Sequence, residues 1–291
     1  MSKWLGMGLL ILFVAFPQAV KSGISTGLEK GLSVLMPALF PYMVASQIFL
    51  KTGGASYLSR FIKVGRLSKK SVGILVPALF CGYPTGARLA SLAYNNKEIS
   101  KKELFILFSF GNVPGFGFCV SYLGGVLLGS FSIGMMIYAC YLTASLILCT
   151  VFSRNKKEPE TNCPTEESIR SFPSAITEAV TESSVSMVSL ICFICFFSSL
   201  ICLISSLPIS QKLLACFSAF LEITSGLEQL LLHCNLPMVI FFTGFSGLCV
   251  LFQSLSFHKE NAVNLLMLMA SRCLYGIVAV FCFLLLRLLT V

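Results

Sequence analysis

Three stretches set polar, charged or helix-breaking residues inside long apolar runs, and any chemistry this chain performs has to begin there. The first is Cys81-Gly82-Tyr83-Pro84-Thr85-Gly86-Ala87-Arg88. Glycine and proline here suit a sharp reversal of the backbone. The free N–H groups and half-helix dipoles of such a tip could hold an anionic group. The plainer alternative is a proline kink in an unbroken span. The second stretch is Leu221-Glu222-Ile223-Thr224-Ser225-Gly226-Leu227-Glu228. A carboxylate in an apolar segment is costly unless paired, protonated or hydrated. Glu222 could therefore bind a hydroxyl, a cation or a proton, and Glu228 at the rim is the second coupling candidate. The alternative is that both glutamates snorkel to the interface. The third stretch is Phe110-Gly111-Asn112-Val113-Pro114-Gly115-Phe116-Gly117, with its counterpart Thr243-Gly244-Phe245-Ser246-Gly247 followed by Gln253 and Ser254. Asn112 and Gln253 each offer donor and acceptor, which suits a polar organic substrate. Small residues packing helices together are the alternative there. Arg272 interrupts the last apolar run and is expected to pair with a glutamate.

The elements around these stretches are apolar and long. Of 291 residues, 56% are hydrophobic and 11% charged, whereas soluble domains carry about 25% charged residues. Too few charges remain to cover a water-facing surface, so the composition excludes an ordinary soluble enzyme and a disordered chain. It implies an all-α polytopic membrane protein. All 12 acidic residues are Glu, which removes aspartate-based chemistry. The net charge of +9 does not indicate nucleic acid, because the basic residues lie in short loops between apolar runs. The 13 cysteines are unpatterned and mostly intramembrane, including the Cys192/Cys195 pair, and read as small packing residues. His233 and His258 lie in loops and complete no metal site. No cofactor or metal is expected. No nucleophile–base pair, phosphate loop or hydrolase triad is present, so the chain reads as a non-enzyme.

Residues 4–20 read as a retained first span and 31–50 as a second uncharged run. Residues 72–94 are apolar but broken at 82–86, and 104–153 are uncharged and long enough for two spans, turning near Gly124, Gly125 and Gly129. Residues 154–182 form a polar linker. Then come a span at 183–206, a broken segment at 213–232, and spans at 237–257 and 262–286. The expected organisation is an N-terminal helix and loop (1–30), a first repeat (31–153), the linker (154–182) and a second repeat (183–291). The halves resemble each other: Phe80 falls on Phe220, Thr85 on Ser225, Gly86 on Gly226 and Arg88 on Glu228. Further along, Gly117-Phe118-Cys119-Val120 matches Gly247-Leu248-Cys249-Val250. Paired interrupted hydrophobic segments point to a transporter binding site.

Charge sets the expected topology. Basic loops at 51–71 and 95–103 flank the first broken segment, so with both in the cytoplasm it must enter and return as a re-entrant hairpin. With both broken segments re-entrant, the chain has about seven transmembrane helices, two hairpins and a cytoplasmic N-terminus. One side then holds 15 of the 21 Lys and Arg, and the other holds Lys21, Lys30, Lys212 and Arg287. The second hairpin enters from the opposite side, which makes the repeats inverted. The expected substrate site gathers Gly82, Tyr83, Pro84, Thr85, Gly86, Arg88, Asn112, Glu222, Thr224, Ser225, Gly226 and Gln253. The expected partners are a small-molecule substrate and the lipid bilayer, with a homo-oligomer left open. A non-transporting scaffold is the rival reading.

Phe40-Pro41-Tyr42, Gly82-Tyr83-Pro84-Thr85-Gly86-Ala87-Arg88, Phe108-Ser109-Phe110-Gly111-Asn112-Val113-Pro114-Gly115, Glu222-Ile223-Thr224-Ser225-Gly226 and Gly244-Phe245-Ser246-Gly247-Leu248-Cys249-Val250 together resemble the YlbJ-type sporulation integral membrane proteins. That group belongs to the nucleoside-recognition, or Gate, superfamily, related to concentrative nucleoside transporters. The resemblance runs from about residue 31 to the end of the chain. It implies two inverted repeats with hairpin tips meeting near the midplane and an endospore-forming bacterial host. It also implies a cell or forespore membrane location and dipicolinate, moved between mother cell and forespore, as a substrate.

Overall fold

The computed structural model describes residues 2–154, 170–257 and 263–290, and every described regular element is a helix. Helix α1 is Ser2–Ala15, and α2 runs unbroken over Pro17–Lys51 through five π-wound residues, Gly31–Leu35. A short helical turn, Gly54–Leu58, leads to α3, Lys69–Cys81, and α4, Thr85–Asn95. Residues 101–111 form α5, and the π-wound Gly117–Leu127 forms α6. Helix α7 is Phe131–Ser153 and α8 is Phe172–Ser205. Then follow α9, Gln211–Leu221, α10, Ile223–His233, α11, Leu236–Phe245, α12, Gly247–Ser256, and α13, Leu265–Thr290. One order therefore occurs twice: long helix, helical hairpin, broken helix, long helix.

Among the described residues, five helical stretches are long and apolar enough to cross a membrane: Pro17–Lys51, Phe131–Ser153, Phe172–Ser205, Leu236–Ser256 and Leu265–Leu288. Their surfaces suit lipid. In α13, Leu268, Arg272, Tyr275, Ala279 and Phe283 recur at helical spacing and are buried, while Ile277, Phe281 and Leu284 face outward. A helix that buries its arginine and exposes its phenylalanine is stable where the surrounding solvent is apolar.

Two boundaries differ from the sequence reading. Residues 21–30, read as the loop after the first span, are helical, and residues 17–51 form one helix that takes in the second apolar run. Pro17 at the first helical position suits a helix start. Gly23, Gly27 and Gly31 then let this helix lie directly on α8: a Cβ at Gly23 would fall 2.3 Å from the Ser199 Cα, at Gly27 2.7 Å from the Cys195 Cα, and at Gly31 2.9 Å from an Ile191 side-chain carbon. The descending partner numbers mean that α2 and α8 run antiparallel, and their small-residue stripe permits the close contact. The second difference is at the linker. Residues 155–169 and the polar loop at 258–260 lie outside the described residues, while 172–182 form the first three turns of α8.

Both broken segments do double back. In a straight helix, residues eight apart are about 12 Å distant, yet a Cβ at Gly86 would lie 2.8 Å from that of Ala78. In the second hairpin a Cβ at Gly226 would meet the Cα and backbone nitrogen of Ala219 at 2.3 Å. Ser68 caps the start of α3 and Ser210 that of α9, each accepting an N–H three residues on.

Candidate functional site

In each half the hairpin tip packs against the break of the next helix. At the first tip Gly82 ends α3 with φ of +75°, a left-handed value glycine adopts freely. A Cβ there would lie 2.2 Å from the backbone nitrogen of Gly115, and the Tyr83 N–H donates to the Val113 carbonyl at 3.0 Å. Pro84, in a cis peptide with Tyr83, leads into α4. At the second tip, Gly247 stands over Ala219, Leu221 and Ile223, where its Cβ would come 3.1–3.3 Å from their backbone atoms. Unwound backbone at this depth must find partners within the protein, and the first tip meets part of that need at its break through the Tyr83–Val113 hydrogen bond.

One side chain meets much of the rest. Arg272 is 1% exposed. Its Nη1 donates to the carbonyls of Ser109 at 3.1 Å and Asn112 at 2.9 Å, both at the first break. Its Nη2 donates to the Gly244 carbonyl at 2.5 Å and to the Ser246 hydroxyl, and its Nε to the Phe245 carbonyl at 3.5 Å, all at the second break. Ser246 itself has φ of +78°, strained for a residue with a Cβ. The expectation of a glutamate partner for Arg272 is thus replaced by five oxygen acceptors, none a carboxylate, and α13 runs through this position unbroken. The fork of a guanidinium suits several divergent acceptors at once.

The two tips converge on one small cavity. Tyr83 of the first tip and Glu222, Ile223 and Thr224 of the second line it, with Phe118, Cys249 and Val250 from the starts of α6 and α12. Leu35 and Leu39 of α2 and Leu190 and Ile194 of α8 close its other wall. It encloses about 10 Å³, close to the least that admits one water. That volume leaves no room for an organic substrate between the tips.

Glu222 is 1% exposed, and its carboxylate accepts the N–H groups of Thr224 at 2.7 Å and Ser225 at 2.6 Å, capping α10. The anion-holding end of the second returning helix is thus filled from within the chain. The first returning helix, α4, has no side-chain cap. The Ser225 hydroxyl lies 3.3 Å from that of Ser198 on α8. Asn112 donates through Nδ2 to the Ser254 hydroxyl at 2.9 Å, joining the first break to α12. Among the described residues, the Tyr83 and Thr85 hydroxyls, the Asn112 amide oxygen and both amide atoms of Gln253 are buried without a hydrogen-bond partner. Such groups are costly to bury, and they form a reserve of neutral donors and acceptors around the tips and breaks.

Of the expected site residues, Tyr83, Glu222 and Thr224 line the cavity, and the charged Arg88 and Glu228 are engaged elsewhere. Arg88 turns to α8, where it bonds the Glu182 carbonyl at 3.1 Å, the Ser186 hydroxyl at 3.0 Å and the Glu182 carboxylate at 3.3 Å. Glu228 pairs with Lys30 of α2 at 3.0 Å. Sequence reasoning missed that Arg272 serves both breaks, and it missed Ser198 as a neighbour of the second tip. The signal for the first was an arginine with no carboxylate near it in sequence.

The chain matches no protein-family model, no curated protein and no solved structure. The five long apolar helices among the described residues are those of an α-helical membrane protein, and the functional reading rests on the geometry of the tips and breaks.

Proposed function

We propose that this chain is an integral membrane secondary transporter that moves a small polar or anionic metabolite, nucleoside-like or dipicolinate-like, by alternating access. The convergence of two hairpin tips on one buried cavity carries this reading, with Tyr83 contributed by one tip and Glu222 and Thr224 by the other. Discontinuous helices and hairpins meeting at a repeat interface are the architecture of such carriers.

The topology proposed has α1, α2, α5 with α6, α7, α8, α11 with α12, and α13 as seven crossings, and the two hairpins as re-entrant. The repeated element order and the antiparallel contact of α2 with α8 support an inverted repeat. The positive-inside bias supports a cytoplasmic N-terminus. On the motif resemblance, the protein belongs with the YlbJ-type sporulation proteins in a bacterial cell or forespore membrane.

The test is counterflow in proteoliposomes holding the purified protein, with labelled nucleosides and dipicolinate as probes. It is paired with a metabolite comparison of deletion and parent cells during sporulation. Saturable exchange of one probe, abolished by substitutions at 82–86 or 222–226, is expected. If tip substitutions leave sporulation intact and only exposed-loop substitutions damage it, the protein is a scaffold and the transporter reading falls.

A further inference from the structure

The two charged residues that the cavity leaves out occupy the same place in their hairpins. Arg88 lies two residues past the tip glycine Gly86, and Glu228 two residues past Gly226. Each reaches across to the long helix of the other half. Arg88, on the first hairpin, holds Glu182 and Ser186 of α8. Glu228, on the second, holds Lys30 of α2. The sign is exchanged between them: the first hairpin supplies the cation and its partner helix the anion, and the second does the reverse.

The two contacts also lie at either end of the uncharged stretch 31–50 of α2. Glu182 is shared with Lys51, which it meets at 2.8 Å. Lys51 and Lys30 are 21 residues apart on the continuous α2, about 32 Å along a helix axis. Between them the helix carries no charge.

Resting on the transporter reading, we infer that Arg88–Glu182 and Lys30–Glu228 are a pair of charge-inverted latches, each fastening one hairpin to the opposite half at one membrane face. Their exposure fits this role. The side chains are 20% and 34% exposed in the first pair and 16% and 48% in the second, so neither pair is sealed inside the protein. Partly exposed ion pairs are weak, as a contact broken in every cycle has to be. Arg272, 1% exposed and bound to five acceptors, is a permanent pin by comparison. In the conformation described here both latches are made. Releasing one frees one hairpin and opens the cavity to one face, while the other latch holds the opposite hairpin shut.

The experiment uses the full chain with its 13 native cysteines replaced by alanine, in vesicles of defined orientation, with single cysteines replacing Thr85 or Thr224 and a membrane-impermeant thiol reagent applied to one face at a time. Glu228→Gln is expected to raise labelling of the position 224 cysteine about two- to fivefold, the range a partly exposed ion pair supports, from the Lys30 face only. Arg88→Gln is expected to raise labelling of the position 85 cysteine from the Lys51 face only. The exchange Lys30→Glu with Glu228→Lys should return the labelling rate to that of the parent. Equal increases at both faces, no increase in either variant, or failure of the charge exchange to restore the rate would overturn the latches. Labelling in the parent that is confined to one face and indifferent to every transport probe would count against the transporter reading instead, since the face-specific release can be read without a substrate.

Discussion

The guanidinium of Arg272 lies 2.9 Å from the carbonyl oxygen of Asn112 while the same group holds the Gly244 carbonyl at 2.5 Å. One side chain on the last helix thereby ties the break of the first half to that of the second. Broken helices in an apolar protein leave carbonyls that neither water nor lipid can satisfy. Placing one multidentate donor between two breaks answers both at once.

Arg272 should therefore be the most sensitive charged position in the chain. Each buried acceptor left unsatisfied costs about 1–3 kcal/mol, so Arg272→Gln, which can reach few of the five, should lower the melting temperature in detergent by more than about 10 °C, taking roughly 2–4 °C per kcal/mol. Arg272→Lys should rescue only part of this, because a point charge cannot span acceptors on both breaks. A melting temperature within a degree or two of the parent in Arg272→Gln would mean that the carbonyls are satisfied by other means.

The tip glycines should differ in how they can be repaired. At Gly226 the added Cβ would strike the backbone of Ala219, at 2.3 Å from both its Cα and its nitrogen. At Gly86 the nearest atom is the Cβ of Ala78, at 2.8 Å, and the backbone stands off at 3.4 Å. Gly86→Ala should consequently recover folding in an Ala78→Gly background, whereas Gly226→Ala should stay defective when Ala219 is replaced by Gly. Folded yield after gel filtration reads both outcomes. Equal rescue at the two sites would show that the second hairpin can spread.

Much of this arrangement was readable from residue types. Glycine, proline and small polar residues inside apolar runs marked both hairpins and both breaks, because such residues are expensive in plain spans. The long α2 was hidden by Lys21, Glu29 and Lys30, which made residues 21–30 look like a loop. The repeat of glycine every four residues at 23, 27 and 31 was the signal that it packs as a helix. The partners of Arg272 were hidden for a different reason: backbone carbonyls have no sequence signature, so a search for a carboxylate could not find them. Arg88 misled by proximity to the tip, since its two-residue step from Gly86 turns it to another face of α4.

Topology is open to direct measurement. The positive-inside count places positions 63 and 101 on one side of the membrane and position 212 on the other. Single cysteines at these three positions, labelled in intact cells and in inverted vesicles, should divide in that way. Labelling of 63 and 101 from opposite faces would mean that the first hairpin crosses, and would remove the inverted repeat with it.

Glu222 can be tested by separating two roles that its carboxylate combines, capping α10 and facing the cavity. Both oxygens are engaged by backbone N–H groups, one from Thr224 and one from Ser225. A glutamine offers one oxygen, and its amide nitrogen would face an N–H donor, so Glu222→Gln should lose about 1 kcal/mol of helix capping and loosen the second tip. Aspartate is a preferred N-cap residue whose oxygens reach the same N–H groups, so Glu222→Asp should keep the cap while withdrawing the carboxylate from the cavity. If the carboxylate contacts substrate, both variants should lose counterflow in proteoliposomes, and Glu222→Asp should do so with an unchanged melting temperature. If capping alone matters, Glu222→Asp should retain exchange and Glu222→Gln should not. A proton-carrying role predicts a third pattern: exchange preserved in Glu222→Gln, with accumulation no longer responding to an imposed pH gradient. We expect loss of exchange in both variants, because Glu222 lines the cavity beside Tyr83 and Thr224. Gradient-driven accumulation at the parent level in Glu222→Gln would exclude both the substrate-contact and the coupling role and move the search for a coupling group to the carbonyls of the two breaks.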